Sequence, residues 1–187
     1  MRRRGIGDTF QFWGRTHEYF NDPYNTTIYN ERAVEIPIVR DWIGEYGIDV
    51  EIGNVLGHYG HTGHRVIDRY EEADGVENID VFDLEDDLES VIAISTLEHV
   101  RWDEPDRDPN GSVRALEHLI ERSRTLLVTV PMGHHPYFDQ YLLGLDAHAS
   151  TMVRFYDGWI ETAVPVWAPY GATTKWAESV WIGAFYQ

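Results

Sequence analysis

The most informative segment of the chain is Val50-Glu-Ile-Gly-Asn-Val-Leu-Gly57, in which a short apolar run meets an acid and two glycines. The glycines stand two and six positions after Glu51. A glycine directly after a strand allows a tight turn and a close approach to a ligand, and a carboxylate beside it can accept hydrogen bonds from an ammonium or hydroxyl group. The pattern predicts a strand whose carboxyl end carries a binding site.

Further short apolar runs follow along the chain and end at polar residues. They are Arg65–Ile67 before Asp68, Ile79–Phe82 before Asp83, Val91–Ile94 before Ser95, and 125–129 after a helical pattern over 112–122. Runs that are almost entirely apolar are typical of a parallel sheet covered on both faces. We therefore expect an α/β, doubly wound, mostly parallel sheet.

The ends of the chain have a different character from this core. Residues 1–30 are rich in aromatic side chains and predict an arm that packs on the domain or covers a site. A helical pattern starts at Asn30, a candidate cap, and Pro37 inside it predicts a break or kink. We expect a single domain with an arm (1–30), a core (31–145) and C-terminal edge strands (146–187), the last from runs over 151–156, 159–164 and 179–185.

Two of the acids at predicted strand ends suit a bound nucleoside. Asp68 stands seventeen residues after Glu51 and closes the second run, where a carboxylate can bind both ribose hydroxyls. Asp83 closes the third run, where an adenine amino group would lie. The three carboxylates thus follow one another in the order that a nucleoside across three strands requires.

These features together resemble a class I S-adenosylmethionine-dependent methyltransferase, of a type seen in halophilic archaea. The resemblance spans roughly residues 30–145 and rests on five stretches: Asn30–Glu35, Glu51–Tyr59, Val66–Asp68, Ile94–Val100 and Val128–Pro131. It implies a seven-stranded sheet with an antiparallel last strand at the edge, and S-adenosyl-L-methionine over the ends of the first strands.

The resemblance also implies roles for individual residues. It assigns cofactor contacts to Glu51, Gly53, Asn54, Gly57, Asp68, Arg69, Asp83, Ser95 and Thr96. Apart from the resemblance, His99 and the pair His134-His135 are candidate general bases because they lie just after predicted strand ends, with His99 and His134 as the expected catalytic residues. The acceptor would be a small molecule or a glycan or lipid precursor, beside a wall of aromatic residues: Tyr24, Tyr29, Trp102, Tyr137 and Phe138.

Other functions remain open because the glycine segment departs from the family pattern E/D-x-G-x-G-x-G. Val55 replaces the middle glycine, which leaves a non-catalytic protein without the cofactor as one alternative. A nucleotide-sugar or nicotinamide enzyme on the same sheet is another, although the fingerprint G-x-G-x-x-G is absent.

A histidine cluster raises the question of a metal. His58, His61 and His64 are three residues apart, but Gly57, Gly60 and Gly63 interrupt any regular helix. We expect a solvated loop there and no metal site. The absence of cysteine also excludes disulfides and thiolate metal sites.

The composition is strongly acidic. The 187 residues include 32 Asp and Glu against 15 Lys and Arg, a net charge of −17, and ten acids without a Lys or Arg fall between Glu71 and Glu89. Such a field repels phosphate backbones and anionic lipid, so we expect no nucleic-acid partner. No apolar run is long enough to span a membrane, and we expect a cytoplasmic protein.

Excess acid with a single lysine, Lys175, is typical of proteins that work in molar salt. We therefore expect the chain to be folded in molar potassium chloride and to lose its circular-dichroism signal in dilute buffer, because the self-repulsion of carboxylates is then unscreened. Full stability in dilute buffer would contradict this interpretation of the charge.

Overall fold

A computed structural model describes residues 8–155, 158–162 and 177–187. Three helices lie in these ranges: α1 (Arg32–Tyr46), α2 (Gly111–Arg122) and α3 (Pro136–Gly144). Four short 3-10 segments cover Tyr24–Tyr29, Leu56–Tyr59, Val81–Asp83 and Leu97–His99. The strands are β1 (Thr9–Phe12), β2 (Arg15–Glu18), β3 (Val50–Ile52), β4 (Arg65–Ile67), β5 (Val76–Glu77), β6 (Leu88–Ile94), β7 (Ser123–Pro131), β8 (His148–Phe155), β9 (Gly158–Thr162) and β10 (Ser179–Tyr186).

The main sheet of the described residues has eight strands in the order β5-β4-β3-β6-β7-β10-β8-β9. The pairs among β5, β4, β3, β6 and β7 are parallel. β10 is antiparallel to β7 and to β8, and β9 is antiparallel to β8. The protein is therefore α/β with a mostly parallel sheet, which is compatible with a Rossmann-like fold.

The C-terminal strands differ in position from the expectation. The antiparallel β10 inserts between β7 and β8 instead of forming the edge, and β9 is the edge strand. The described part of the sheet also has one strand more than the seven expected. The expected strand residues Tyr156 and 163–164 lie outside the described part.

Both faces of the sheet are buried, as the apolar runs indicate. Along β6, Val91 and Ala93 face a core formed with α2 and α3. Ile92 and Ile94 face a second core, formed with α1 and β1. Successive strand residues point to opposite faces, so a strand in the middle of this sheet must be apolar at almost every position.

The N-terminal arm contributes to the second core. β1 and β2 form an antiparallel hairpin outside the main sheet. From it, Phe10 and Phe12 project into the core that contains Val34 and Trp42 of α1. Phe12 is only 1% exposed. From residue 8 onward, the described part of the arm therefore packs on the domain, which is one of the two predicted roles.

The expected break at Pro37 is absent, since α1 continues through this residue. Proline has no N–H, so the carbonyl four residues earlier, that of Ala33, loses its partner within the helix. The Phe20 amide donates to this Ala33 oxygen at 3.0 Å. At the start of the helix, Asn30 Oδ1 accepts the Arg32 amide at 3.0 Å, consistent with its expected capping role.

The prediction of a third strand in the run Ile79–Phe82 is wrong. Ile79–Phe82 is not a strand: Asp80 Oδ1 accepts the Phe82 amide at 3.1 Å and begins the 3-10 segment Val81–Asp83. The third parallel strand is the two-residue β5, earlier in the chain. By contrast, β3 and β4 have the predicted bounds.

No helix in the described ranges is both long enough and apolar enough to cross a membrane.

Replacement of Phe12 by alanine tests whether the hairpin is part of the core. Because the ring is buried against α1, we expect Phe12→Ala to lower the free energy of unfolding by about 3–5 kcal/mol, with a smaller loss in Phe12→Leu. Denaturant unfolding in molar salt measures both. A loss below about 1 kcal/mol for Phe12→Ala would mean that the hairpin does not contribute to the core.

Candidate functional site

A pocket of about 560 Å³ opens at the carboxyl ends of the parallel strands. Its wall includes the last residues of β3 and β4, namely Ile52 and Ile67, and the segment after β6, Ser95 and Thr96. Parallel strands present their carboxyl ends at one edge of the sheet, which is where ligands bind in open α/β folds. The volume is in the range of small-molecule and cofactor sites.

The turn after β3 needs its first glycine. Gly53 has φ +83°, and a Cβ at this position would lie 2.3 Å from Thr96 Oγ1. Gly53, Asn54 and Val55 line the pocket, and Gly57 is outside the lining. The departure at Val55 therefore puts a branched side chain on the pocket wall.

Glu51 is fully buried and is not part of the pocket wall. Its Oε1 accepts the amides of Val55 at 2.9 Å and Leu56 at 2.8 Å. Its Oε2 lies 2.8 Å from His64 Nε2. The carboxylate thus fixes both ends of the connection between β3 and β4, and its role in this structure is to shape the loop.

The residues after β4 meet the expectation for a ribose site. Asp68 lines the pocket, and its Oδ1 accepts the amides of Tyr70 at 2.9 Å and Glu71 at 2.8 Å. Oδ2 accepts no hydrogen bond from the described residues, so it can accept one from a ligand hydroxyl. Asn54, also on the wall, donates to Glu71 Oε1 at 2.6 Å.

Asp83 does not reach the pocket, because its side chain is exposed on the 3-10 segment and is absent from the pocket lining. Asp80 lines the pocket instead. Its Oδ2 pairs with Arg69 at 2.8 Å and with Arg101 at 2.5 Å. Arg69 lines the pocket as predicted.

Ser95 and Thr96 line the pocket and connect it to a buried acid. Ser95 is held at φ 44°, an unusual backbone conformation for a residue other than glycine. Its hydroxyl donates to Glu35 Oε1 at 2.7 Å, and Thr129 donates to the same oxygen at 2.6 Å. Glu35 Oε2 pairs with Arg32 at 2.5 Å, and this guanidinium lines the pocket.

Two more buried carboxyls lie near this pair. Burial, and next the charge of Glu35, raise the pKa of Glu31. Burial is also the main reason why the pKa of Glu98 is well above its usual value. Burial lowers the pKa of Arg32, but its pairing with Glu35 and Glu31 outweighs this effect and the pKa is raised. The arginine thus stays charged near Glu31 and Glu98, whose raised pKa values reflect their burial.

The two candidate bases are close together. His99 lines the pocket, and its Nδ1 is 2.6 Å from Asp103 Oδ2. His134 is outside the lining, and its Nε2 lies 3.2 Å from the same oxygen. Burial lowers the pKa of His99, although the bond to Asp103 opposes this. His99 is therefore mostly neutral at pH 7 and able to accept a proton.

His135, the neighbour of His134, has a different role. It begins α3, where its Nδ1 accepts the Phe138 amide at 3.3 Å, and its ring stacks on Trp102. Burial lowers the pKa of His135 to about 4. This histidine stabilises the local structure.

Of the expected aromatic wall, only Tyr24 lines the pocket, where its ring stacks on His58. Phe138 lies in a core, and Trp102 stacks on His135. Tyr59 and Tyr70 complete the aromatic lining.

The prediction that the histidine loop is solvated is wrong for His64. The His64 side chain is only 2% exposed and is bound to Glu51. His58 is exposed and lies 3.3 Å from Glu71. Since His64 binds Glu51 and His58 stacks on Tyr24, the three rings do not converge on a common point.

Comparison of the chain with family models, with curated proteins and with solved structures gave no match. The fold and the groups in the pocket are therefore the basis for assigning a function.

The sequence predicts no individual role for several groups around the pocket: Arg32, Glu35, Asp80, Glu98 and Glu104. Arg32 and Glu35 stand three residues apart in a helical pattern, which usually indicates a surface ion pair. Asp80 precedes an apolar pair, the signal of a cap rather than of a strand. No signal in the sequence shows that Glu98 is buried, because this depends on the packing of the 3-10 segment Leu97–His99 against α2 and β7.

The buried Glu98 predicts a pH dependence of stability. The folded protein holds the proton of this carboxyl more tightly than the unfolded chain does, so this group's contribution to stability falls as the pH rises above the ordinary value of 4.5. Glu98→Gln should therefore melt at a higher temperature than the parent near pH 8, with a smaller difference near about pH 5.

Thermal unfolding at constant molar salt measures this difference, with the exposed Glu121→Gln as the matched control. Parallel pH profiles for the parent and Glu98→Gln would contradict the prediction.

Proposed function

We propose that the chain is an S-adenosylmethionine-dependent methyltransferase that acts on a small-molecule or glycan-like acceptor. The observation that carries the proposal is the placement of Asp68. Its Oδ1 is fixed by two backbone amides and Oδ2 accepts no bond from the described residues, in a pocket bounded by the glycine turn of the neighbouring strand. This arrangement suits the two hydroxyls of a ribose.

The strand arrangement is compatible with this class of enzyme. The six strands β3 to β8 run in one direction, and the last strand in the chain, β10, runs against them. A seven-stranded, doubly wound sheet with an antiparallel last strand would account for these seven, with β9 as an addition at the edge.

The charges of the pocket favour a cationic ligand. Four acids, Asp68, Glu71, Asp80 and Glu104, line it against Arg32 and Arg69. Arg101, beside the lining, pairs with Asp80 and Glu104, so these side chains leave an excess of one acid (4 − 3 = 1). The cofactor is a sulfonium cation, and a negative site stabilises it.

The turn after β3 argues against the nicotinamide and nucleotide-sugar alternatives. A pyrophosphate is normally bound by free amides at the start of a helix after the first strand. Here the amides of Val55 and Leu56 already donate to Glu51, and a 3-10 segment follows instead of an α-helix. A diphosphate at this turn would face a buried carboxylate.

The residues of the pocket fit the parts of the cofactor. Asp68 would bind the ribose, and the apolar side chains of Ile67, Ile79 and Val81 offer a surface for the base. Arg32 offers N–H donors for the carboxylate of the methionine part, beyond the one that binds Glu35. When bound, the cofactor supplies an electrophilic methyl group.

The protein's own contribution to the reaction would be positioning and proton transfer. His99 is the wall residue best placed to accept a proton from an acceptor hydroxyl. Asp103 fixes its ring through Nδ1, and Nε2, which lies 3.5 Å from Glu98 Oε1, is the nitrogen that would take the proton. Alignment of the acceptor with the methyl group then provides most of the rate.

Calorimetry with S-adenosylhomocysteine in molar salt tests the proposal. We expect binding by the parent and a loss of roughly 10–100-fold in affinity in Asp68→Asn, because a charged acceptor for the ribose hydroxyls becomes neutral. Asn keeps an oxygen for the amides of Tyr70 and Glu71, so the loop should hold its shape.

The matched control is Asp83→Asn, since this exposed acid lies outside the pocket lining and should bind like the parent. Absence of binding by the parent, or equal affinity in Asp68→Asn, would refute the proposal. Thermal protection by NADH but not by S-adenosylmethionine would instead favour a nicotinamide enzyme.

A further inference from the structure

Two loops at the carboxyl edge of the sheet bring three ligand-type side chains together. His99 ends the 3-10 segment after β6, Asp103 follows four residues later, and His134 follows β7. β6 and β7 are neighbouring parallel strands, so their following loops must lie side by side. The sequence separates these histidines by 35 positions and shows no metal-binding motif.

The three side chains converge on one point. One nitrogen of each histidine and a carboxylate oxygen lie within 4.8 Å of one another. Asp103 Oδ2 is 2.6 Å from His99 Nδ1 and 3.2 Å from His134 Nε2. Ligands around a tetrahedral zinc ion are roughly 3.3 Å apart, as bond lengths of 2.0–2.1 Å require. A small outward movement of Asp103 and His99 would thus admit an ion.

The surroundings of the cluster are those of a metal site. Histidine ligands of metals usually direct their second nitrogen to a carboxylate. His99 Nε2 lies 3.5 Å from Glu98 Oε1. Glu98 is 1% exposed, and its other oxygen has no hydrogen-bond partner among the described residues. A buried, incompletely paired carboxyl beside this ring can accept the Nε2–H of a metal-bound histidine, and this is the second observation that points to a metal site.

The loop that carries His134 is held in place. Gly133 adopts φ +97°, and its amide donates to Asp139 Oδ2 at 2.8 Å. Positions on such a supported turn preserve ligand geometry better than a free loop does.

We propose that His99, Asp103 and His134 bind a divalent first-row transition metal, such as zinc, at the rim of the pocket. Two imidazoles and one carboxylate leave coordination positions for water or for an oxygen of a ligand. His99 and Asp103 are half-exposed, so an ion here is open to solvent. This proposal departs from the expectation that the protein has no metal site.

If the proposed methyl transfer holds, the metal would change the role of His99. With a metal on Nδ1, the neutral ring carries its proton on Nε2, so Nε2 can no longer accept one from the acceptor. An acceptor oxygen bound to the ion would instead lose its proton more readily. This consequence rests on the proposed function, whereas the metal site itself does not.

Metal binding is tested with untagged protein in molar potassium chloride, by titration with Zn²⁺ against a chromophoric chelator and by elemental analysis after dialysis. We expect one zinc per chain in the parent. Asp103→Asn and His134→Gln should weaken binding by more than the roughly 10–100-fold that loss of an outer-shell partner causes. Cobalt substitution should give visible absorption bands that both variants lose.

The matched control is the double variant His58→Gln, His61→Gln, which removes two histidines of the glycine-rich loop and should keep the bound zinc. Stoichiometric zinc that survives in Asp103→Asn and His134→Gln would overturn the proposal, as would a parent that binds no more tightly than these variants.

Binding of S-adenosylhomocysteine, measured without metal, separates the two proposals, since neither Asp103 nor His134 lines the pocket. If zinc binding fails while the nucleoside binds, only the metal site is refuted. If S-adenosylhomocysteine does not bind but zinc does, only the proposed function is refuted.

Discussion

The buried carboxylate of Glu51 is the interaction on which the pocket depends. A charge without access to water is tolerated only when hydrogen bonds replace its hydration. Two amides and one imidazole do so here, and they come from the start and the end of the same connection. The connection from β3 to β4 contains a 3-10 segment and no α-helix. The hydrogen bonds of this carboxylate therefore hold the connection in place, as a packed helix does in other α/β proteins. The positions of Gly53, Asn54, Val55 and His58 in the pocket wall follow from it.

The sequence was sufficient to predict the centre of the sheet. β3 and β4 have their predicted bounds because each is a short run, apolar except for Glu51 or Arg65, that ends directly before a turn residue. β5 was not predicted, because its two residues, Val76 and Glu77, are too few to form an apolar run. Because the third strand was predicted at Ile79–Phe82, Asp83 was expected to bind the adenine, whereas Asp80 lines the pocket.

The site was predictable where it follows strand ends and unpredictable where it needs packing between distant segments. Gly53, Asp68, Ser95 and Thr96 stand at strand ends and all line the pocket. The contacts of Glu35 could not be predicted from the sequence, since its partners Ser95 and Thr129 are 60 and 94 residues away. Pro37 shows the same limit: its local rule predicts a break, yet a bond from Phe20 to Ala33 satisfies the freed carbonyl.

The shortness of β5 also affects how the molecule behaves in a crowded solution. An exposed sheet edge can pair with the edge of another molecule and start aggregation, and short, charged edge strands prevent this. β5 offers only Val76 and Glu77 for such pairing, within the acidic run from Glu71 to Glu89. Arg65 of β4 also binds the Glu77 carboxylate at 2.8 Å through two nitrogens. In molar salt, where long-range repulsion between molecules is screened, this edge still resists pairing because it offers so little backbone to a partner strand.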